Sequence, residues 1–179
     1  YRDKNYLQAI ALSELMAKQG DVRAEYNLGF FYGDKNNPYY SLEKSYHWYE
    51  KAANKDYPPA MNNLAGFYFH GLGRDKNVEK AFHLYLKAAN ENSKIAQNSV
   101  AAMYFNGLGI TKNKDKGIYW FRKAAEQGSV NAQINLSTIL MKNKKYKLAL
   151  FWLNRAAYKN NIKAQLRLAY MYLKGLGIQ

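Results

Sequence analysis

The chain has 179 residues, 48% of them apolar and 22% charged, a composition typical of a globular protein rather than a disordered one. It contains no cysteine, which excludes disulfides, thiolate metal sites and a cysteine nucleophile. No run approaches the roughly 18 apolar residues that a membrane helix needs. The net charge of +14 bears on solubility and association more than on fold.

A short pattern, Ala-x-x-Asn-Leu and its relatives, recurs along the chain. It begins at Ala24, Ala60, Ala96, Ala132 and Ala164, so the spacings are 36, 36, 36 and 32 residues. A pair of alanines follows each of the first four starts, at Ala52-Ala53, Ala88-Ala89, Ala124-Ala125 and Ala156-Ala157. A fixed period of this length predicts a stack of repeated structural units.

The predicted elements follow this period from one end of the chain to the other. Residues 3–22 have the pattern of the second helix of a preceding repeat, four full repeats occupy 24–59, 60–95, 96–131 and 132–163, and residues 164–179 match the first helix of a following repeat. We therefore predict one all-α domain over residues 1–179, a superhelix, or solenoid, of helix pairs. Because the chain has half repeats at both ends and no initial Met, we expect the native protein to continue in both directions.

Each repeat is predicted to contain two helices. In the second repeat Ala60, Leu64 and Phe67 share one helical face, and Gly71 follows where a left-handed residue can end a helix. Aromatic residues also recur at equivalent positions and are predicted to lie in the core: Tyr32, Tyr68, Tyr104 and Tyr172, then Trp48, Trp120 and Trp152.

The full repeated pattern resembles the Sel1-like repeat. It reads Ala-x-x-Asn-Leu-Ala/Gly-x-x-Tyr-x-x-Gly-x-Gly, then Lys-Ala-x-x-Trp-Tyr-x-Lys-Ala-Ala-x-x-Gly, and is seen at residues 60–73, 80–89 and 120–128. The resemblance implies an alpha-alpha superhelix related to tetratricopeptide repeats. Two turns depart from the pattern: residues 34–38 replace the Gly-x-Gly turn, and the fourth repeat drops four residues around 142–145.

In tetratricopeptide-like arrays the first helices line a concave groove that takes an extended peptide or a helix. Carried over to this chain, the resemblance places the following side chains in the groove: Asn27, Asn62, Asn63, Asn98, Asn135 and Arg167. An amide side chain offers both a donor and an acceptor, so it can pair with a partner's backbone. In the alternative interpretation these amides bond within the array and shape its curvature.

The positive charge is concentrated in the second half of the chain. Residues 1–96 carry 13 Lys and Arg against 11 Asp and Glu, whereas residues 97–179 carry 14 against two. Seven lysines in or near the turns of the third and fourth repeats are predicted to form a basic edge: Lys112, Lys114, Lys116, Lys142, Lys144, Lys145 and Lys147. Such an edge would steer an acidic protein partner. Solvated loop lysines and contact with an anionic membrane surface are alternatives, and nucleic acid is disfavoured.

The sequence shows no arrangement that carries chemistry. The Gly-Leu-Gly turns lack the preceding strand of a phosphate-binding loop, and His47, His70 and His83 lack metal-ligand spacing. We therefore expect no catalytic residues, no metal, no cofactor and no small-molecule substrate.

Together these features predict a non-catalytic scaffold or adaptor that binds a partner peptide or helix in its groove. The resemblance implies adaptors in bacterial envelope or host-interaction processes or in eukaryotic degradation complexes. The abundance of Lys and Asn favours a bacterial source, and a periplasmic or secreted location is favoured over a cytoplasmic one. The alternative is a helical-repeat RNA-binding protein that uses the basic second half, and a third hypothesis places an enzymatic function in this segment or a flanking domain.

Overall fold

A computed structural model describes residues 2–178, which form ten α-helices and no strand. The helices are α1 (Arg2–Lys18), α2 (Val22–Gly33), α3 (Leu42–Ala53), α4 (Pro58–His70), α5 (Val78–Asn90), α6 (Lys94–Asn106), α7 (Lys114–Glu126), α8 (Val130–Lys142), α9 (Tyr146–Ala157) and α10 (Ile162–Leu173). The all-α prediction is confirmed. The even-numbered helices are the first helices of the repeats, and the odd-numbered ones are the second helices.

The chain divides into two compact units, which are described separately. Unit 1 is Tyr1–Glu91 and contains α1 to α5, and unit 2 is Asn92–Gln179 and contains α6 to α10. Within each unit, consecutive helices pack against each other. The assignment of residues 1–179 to a single domain stays a prediction.

Most helices begin at a polar capping residue that recurs with the repeat. Before α6, α8 and α10, the side chains of Ser93, Ser129 and Asn161 accept a hydrogen bond from the backbone N–H of the alanine that opens each repeat pattern. Before α5 and α7, Asn77 and Asn113 accept one from the third residue of the helix. Each such cap stabilises its helix by about 1 kcal/mol, so the polar residues between the apolar stretches determine where the helices start.

Two of the predicted glycine caps end their helices in the left-handed conformation. Gly71 after α4 has φ 69°, and Gly107 after α6 has φ 76°. Glycine lacks the Cβ that makes this region costly for other residues, and each glycine N–H bonds back to a carbonyl of the last turn. The prediction that these glycines are caps is confirmed.

The alanines of the repeat pattern are buried where helices meet. Ala60, Ala96, Ala132 and Ala164 are 0% exposed, and Ala24 is 3% exposed. Short side chains at these positions allow two helices to approach closely, and larger residues fill the remaining space. In unit 1 the larger residues include Leu28 and Tyr32, and in unit 2 they include Phe121, Leu136 and Leu153.

The predicted aromatic core is confirmed for three of its seven members, is partly buried at three others and is wrong for Tyr172. Tyr32, Tyr68 and Trp152 are buried, whereas Tyr172 is 49% exposed. Tyr172 lies on α10, which packs against α9, so its outer face has no further helix among the described residues. The partly buried members are Tyr104, Trp48 and Trp120.

Candidate functional site

Unit 1 contains an open groove of about 720 Å³ between its helices, which we call the unit-1 groove. Its walls come from the first helices α2 and α4 together with α3 and α5. The predicted residues Asn62 and Asn63 lie in it, beside the rings of Tyr49, Phe67 and Tyr85. The groove therefore combines amide side chains with aromatic surface, a combination that suits a peptide with both polar and apolar groups.

The two asparagines of the unit-1 groove differ in their hydrogen bonding. Asn63 makes a side-chain hydrogen bond with the phenol of Tyr49. Burial raises the pKa of this phenol, and the bond with Asn63 opposes that shift. Asn62 keeps a free acceptor, because its Oδ1 is buried without a hydrogen-bond partner among the described residues. A partner N–H that reached Asn62 would relieve the cost of this unpaired oxygen.

Close contacts between α2 and α3 position Tyr49 in the groove. A Cβ built on Gly29 would lie 2.5 Å from Cδ1 of Tyr49, so only glycine leaves room for this ring. The hydroxyl of Ser45 also donates to the carbonyl of Gly29, at 2.7 Å. Gly29 and Tyr49 hold positions of the repeat pattern, but the pattern did not indicate their contact, because Ala65 and Ala101 take the place of Gly29 in the next two repeats.

Unit 2 contains a second groove of about 560 Å³, which we call the unit-2 groove. Four partly or fully buried side chains form its apolar floor, contributed by α6, α7 and α8: Phe105, Ile118, Phe121 and Ile139. The predicted groove residues Asn135 and Arg167 line it, and the predicted basic-edge residues Lys112, Lys114 and Lys142 lie at its rim. This groove therefore joins part of the predicted binding surface to part of the basic edge.

The polar side chains of the unit-2 groove also bond to the array itself. Asn135 donates from Nδ2 to Oδ1 of Asn98, at 3.2 Å. Arg167 donates to the hydroxyl of Thr138 and, at 3.5 Å, to the carbonyl of Ile134. These bonds fit the alternative in which the polar residues connect neighbouring first helices, and they also orient Asn135 and Arg167.

The remaining predicted site residues lie outside the two grooves. Asn27 is exposed on α2 and is not among the residues that line the unit-1 groove. The ammonium group of Lys116 lies 5.4 Å from the centre of the Tyr104 ring. Lys144, Lys145 and Lys147 are exposed and do not line the unit-2 groove. The assignment of all these residues to binding stays a prediction.

A buried carboxylate in unit 1 was not predicted. Glu25 is 0% exposed, and its Oε1 lies 3.2 Å from the ammonium of Lys51 and 2.9 Å from that of Lys55. Met61 holds the same position in the second repeat, and the third and fourth repeats carry Gln97 and Gln133 there, both of them buried. The available signal for this ion pair was a charged residue at a repeat position that holds Met61, Gln97 and Gln133 in the following repeats.

The described residues show neither of two other kinds of functional site. No helix among residues 2–178 is long and apolar enough to cross a membrane. The same residues contain no group of three or more His, Asp or Glu that could hold a metal ion.

Stacked helix pairs with grooves lined by their first helices define a helical-repeat protein. The sequence profile of the Sel1 repeat matches residues 1–21, 22–57, 58–93, 94–129, 131–161 and 162–179. The chain belongs to the Sel1 repeat family. A comparison with curated protein sequences found no significant match.

Three solved structures illustrate the likeness. The first is c5321, described as a protective antigen of uropathogenic Escherichia coli strains with an SLR fold, with 30% identity, a TM-score of 0.88, and coverage of 94% of this chain and 37% of c5321. The second is a Sel1 repeat protein from Oxalobacter formigenes, with 25% identity, a TM-score of 0.88, and coverage of 96% and 72%. The third, cysteine rich protein B of Helicobacter pylori, shares the fold at 21% identity and a TM-score of 0.60, with coverage of 74% and 95%.

The chain thus spans little more than a third of the length of c5321. Sel1 repeat proteins are generally scaffolds for protein interactions, and the family is typically non-catalytic.

Proposed function

We propose that this chain is a non-catalytic scaffold that binds a peptide or helix of a partner protein in the grooves formed by its first helices. The observation that carries the proposal is that each unit has an open groove in which polar side chains of first helices stand beside apolar rings. The free Oδ1 of Asn62 supports it further, because a partner's backbone N–H would satisfy this buried acceptor.

We also propose a bacterial source and a periplasmic or secreted location, with a role at the envelope or in contact with a host. The bacterial origin of the similar structures supports the source, and the description of c5321 as a protective antigen supports the location. Fractionation of the source cells, followed with an antibody against this chain, tests it. Recovery in the cytoplasm alone would contradict the proposed location.

The test of the binding function is site-specific photo-crosslinking in lysate of the source cells. Benzoyl-phenylalanine is placed at His70 in the unit-1 groove or at Lys142 in the unit-2 groove. Matched control positions are His83 and Lys163, which are exposed and line neither groove. Circular dichroism checks that all four variants have the helicity of the parent chain.

We expect protein crosslinks from at least one groove position and none in common with the control positions. Changing Asn62 and Asn63, or Asn135 and Arg167, to Ala should remove the crosslink from the same groove. Equal crosslinking at groove and control positions would refute the assignment. Crosslinks that disappear after treatment with ribonuclease would instead favour the RNA-binding alternative.

A further inference from the structure

The unit-2 groove has a strong local excess of positive charge. Four cationic side chains line it, Lys112, Lys114, Lys142 and Arg167, and its lining contains no Asp or Glu. None of the four forms an ion pair with a carboxylate within the described part of the chain. The unit-1 groove has no such excess, because Lys35 is accompanied there by Asp34.

The cationic groups surround an apolar floor. Phe105, Ile118 and Ile139 are partly buried in the groove, and Phe121 is 4% exposed. The three lysines are exposed, whereas the partly buried Arg167 is held by Thr138 and the carbonyl of Ile134. A guanidinium has five N–H donors, so this tethered group keeps donors available for a carboxylate.

We infer that the unit-2 groove binds an extended segment of a partner protein in which acidic and apolar residues alternate. The inference rests on the proposed function and adds the chemical class of the partner. Successive side chains of an extended chain point to opposite sides. Apolar residues of the segment would therefore contact Phe105 and Ile118, while the intervening carboxylates would reach Lys112, Lys114 and Arg167.

The shape of the site favours a peptide over the other anionic partners. The apolar side chains are partly or fully buried in a groove lined by exposed lysines, which a narrow chain can enter and the surface of a bilayer cannot follow. Single-stranded nucleic acid binds by stacking bases on accessible aromatic faces. Phe121 is buried and Phe105 is partly buried, so the groove offers little of the aromatic surface that stacking needs.

The test measures binding of the full chain to labelled octapeptides by fluorescence anisotropy. One peptide alternates glutamate with leucine, and the comparison peptides alternate lysine with leucine or glutamate with serine. We expect the Glu-Leu peptide to bind at least about tenfold more tightly than either comparison peptide, because only it matches both the cations and the apolar floor. Its affinity should fall when sodium chloride is raised from about 50 to about 300 mM.

Two sets of variants separate the groove from the overall charge. Lys112→Gln, Lys114→Gln and Lys142→Gln together should weaken binding of the Glu-Leu peptide about tenfold or more. The control set, Lys94→Gln, Lys163→Gln and Lys174→Gln, removes the same charge from exposed positions outside the groove and should weaken it less than about twofold. Both sets must retain the helicity of the parent and a thermal midpoint no lower than that of the parent.

Each other outcome overturns the inference. Equal losses in the two sets would show that net charge alone attracts the peptide. Binding of vesicles with anionic lipid, or of single-stranded RNA, in place of the Glu-Leu peptide would assign the groove to another class of partner. If none of these probes binds while groove crosslinks to a protein persist, the acidic class is wrong and the scaffold function stands.

Discussion

At the scale of single residues, Glu25 shows how the repeat tolerates a buried charge. Its carboxylate has no exposed surface, yet Lys51 and Lys55 from the neighbouring helix region reach it while keeping more than 40% of their own side chains exposed. Leaving a buried charge without its partner costs far more than replacing the whole pair by neutral groups. The repeat positions occupied by Gln97 and Gln133 indicate which neutral group fits.

Removing the two lysines should therefore cost more than removing the carboxylate. We expect Lys51→Met with Lys55→Met to lower the free energy of unfolding by about 3 kcal/mol, because it leaves the Glu25 carboxylate unpaired. Glu25→Gln should change it by less than about 1 kcal/mol, and adding it to the double variant should recover most of the loss. Urea unfolding followed by circular dichroism measures all four proteins. Equal costs for the lysine and glutamate variants would contradict the argument.

Tyr49 should make the stability of the chain sensitive to alkaline pH. Burial raises its pKa above the ordinary value of 10.0, so the folded state favours the neutral phenol. The resulting contribution of Tyr49 to the free energy of unfolding is complete below pH about 10 and is lost as the pH rises toward the raised pKa. Between pH about 9 and about 11, the parent should lose about 1.4 kcal/mol more unfolding free energy than Tyr49→Phe. Equal losses would show that other groups cause the alkaline effect.

At the scale of helices, glycine has opposite roles at two positions in adjacent first helices. Gly29 in α2 faces the ring of Tyr49, whereas the nearest atom to a Cβ built on Gly66 in α4 is the hydroxyl of Tyr85, at 3.8 Å. The first position needs glycine for packing. The second has ordinary van der Waals space, and there glycine only raises the entropy that the helix loses on folding.

These two positions provide a matched pair of substitutions. Gly29→Ala should lower the free energy of unfolding by about 1–3 kcal/mol, because the added methyl group displaces Tyr49 in a packed region. Gly66→Ala should raise it by about 0.5–1 kcal/mol through helix propensity. Thermal and urea unfolding measure both. A gain in stability from Gly29→Ala would mean that the α2–α3 contact is looser than the structure shows.

At the scale of the whole molecule, charge opposes the folded state. The chain has a net charge of +14, most of it within residues 97–179. Repulsion among like charges is weakened by salt, whose screening length falls to about 10 Å at 0.1 M. Four ion pairs form within unit 1, and two of them involve the buried Glu25.

Added salt should therefore stabilise the chain. We expect the thermal midpoint to rise by about 3 °C, equivalent to about 1 kcal/mol, between about 20 and about 300 mM sodium chloride. The variant with Lys94, Lys163 and Lys174 changed to Gln should show a smaller rise, because it starts with less repulsion. A midpoint that falls with salt would indicate that attractive ion pairs outweigh the repulsion.

Local patterns along the chain were enough to predict its helices. The recurring alanines predicted the helix pairs, and Gly71 and Gly107 predicted two helix ends, because these features depend on local geometry and on spacing along the chain. The resemblance to the Sel1-like repeat also implied that Asn62, Asn63, Asn135 and Arg167 face grooves, and these four residues line them.

Which of these residues share a site depends on how the helices pack. It left Asn27 outside the unit-1 groove, paired Asn135 with Asn98, and divided the basic edge so that Lys112, Lys114 and Lys142 line the unit-2 groove. It also exposed Tyr172 and buried Glu25 beside two lysines. These outcomes depend on distances between residues about 30 positions apart, which the packing of neighbouring helices determines and the period of the repeat does not contain.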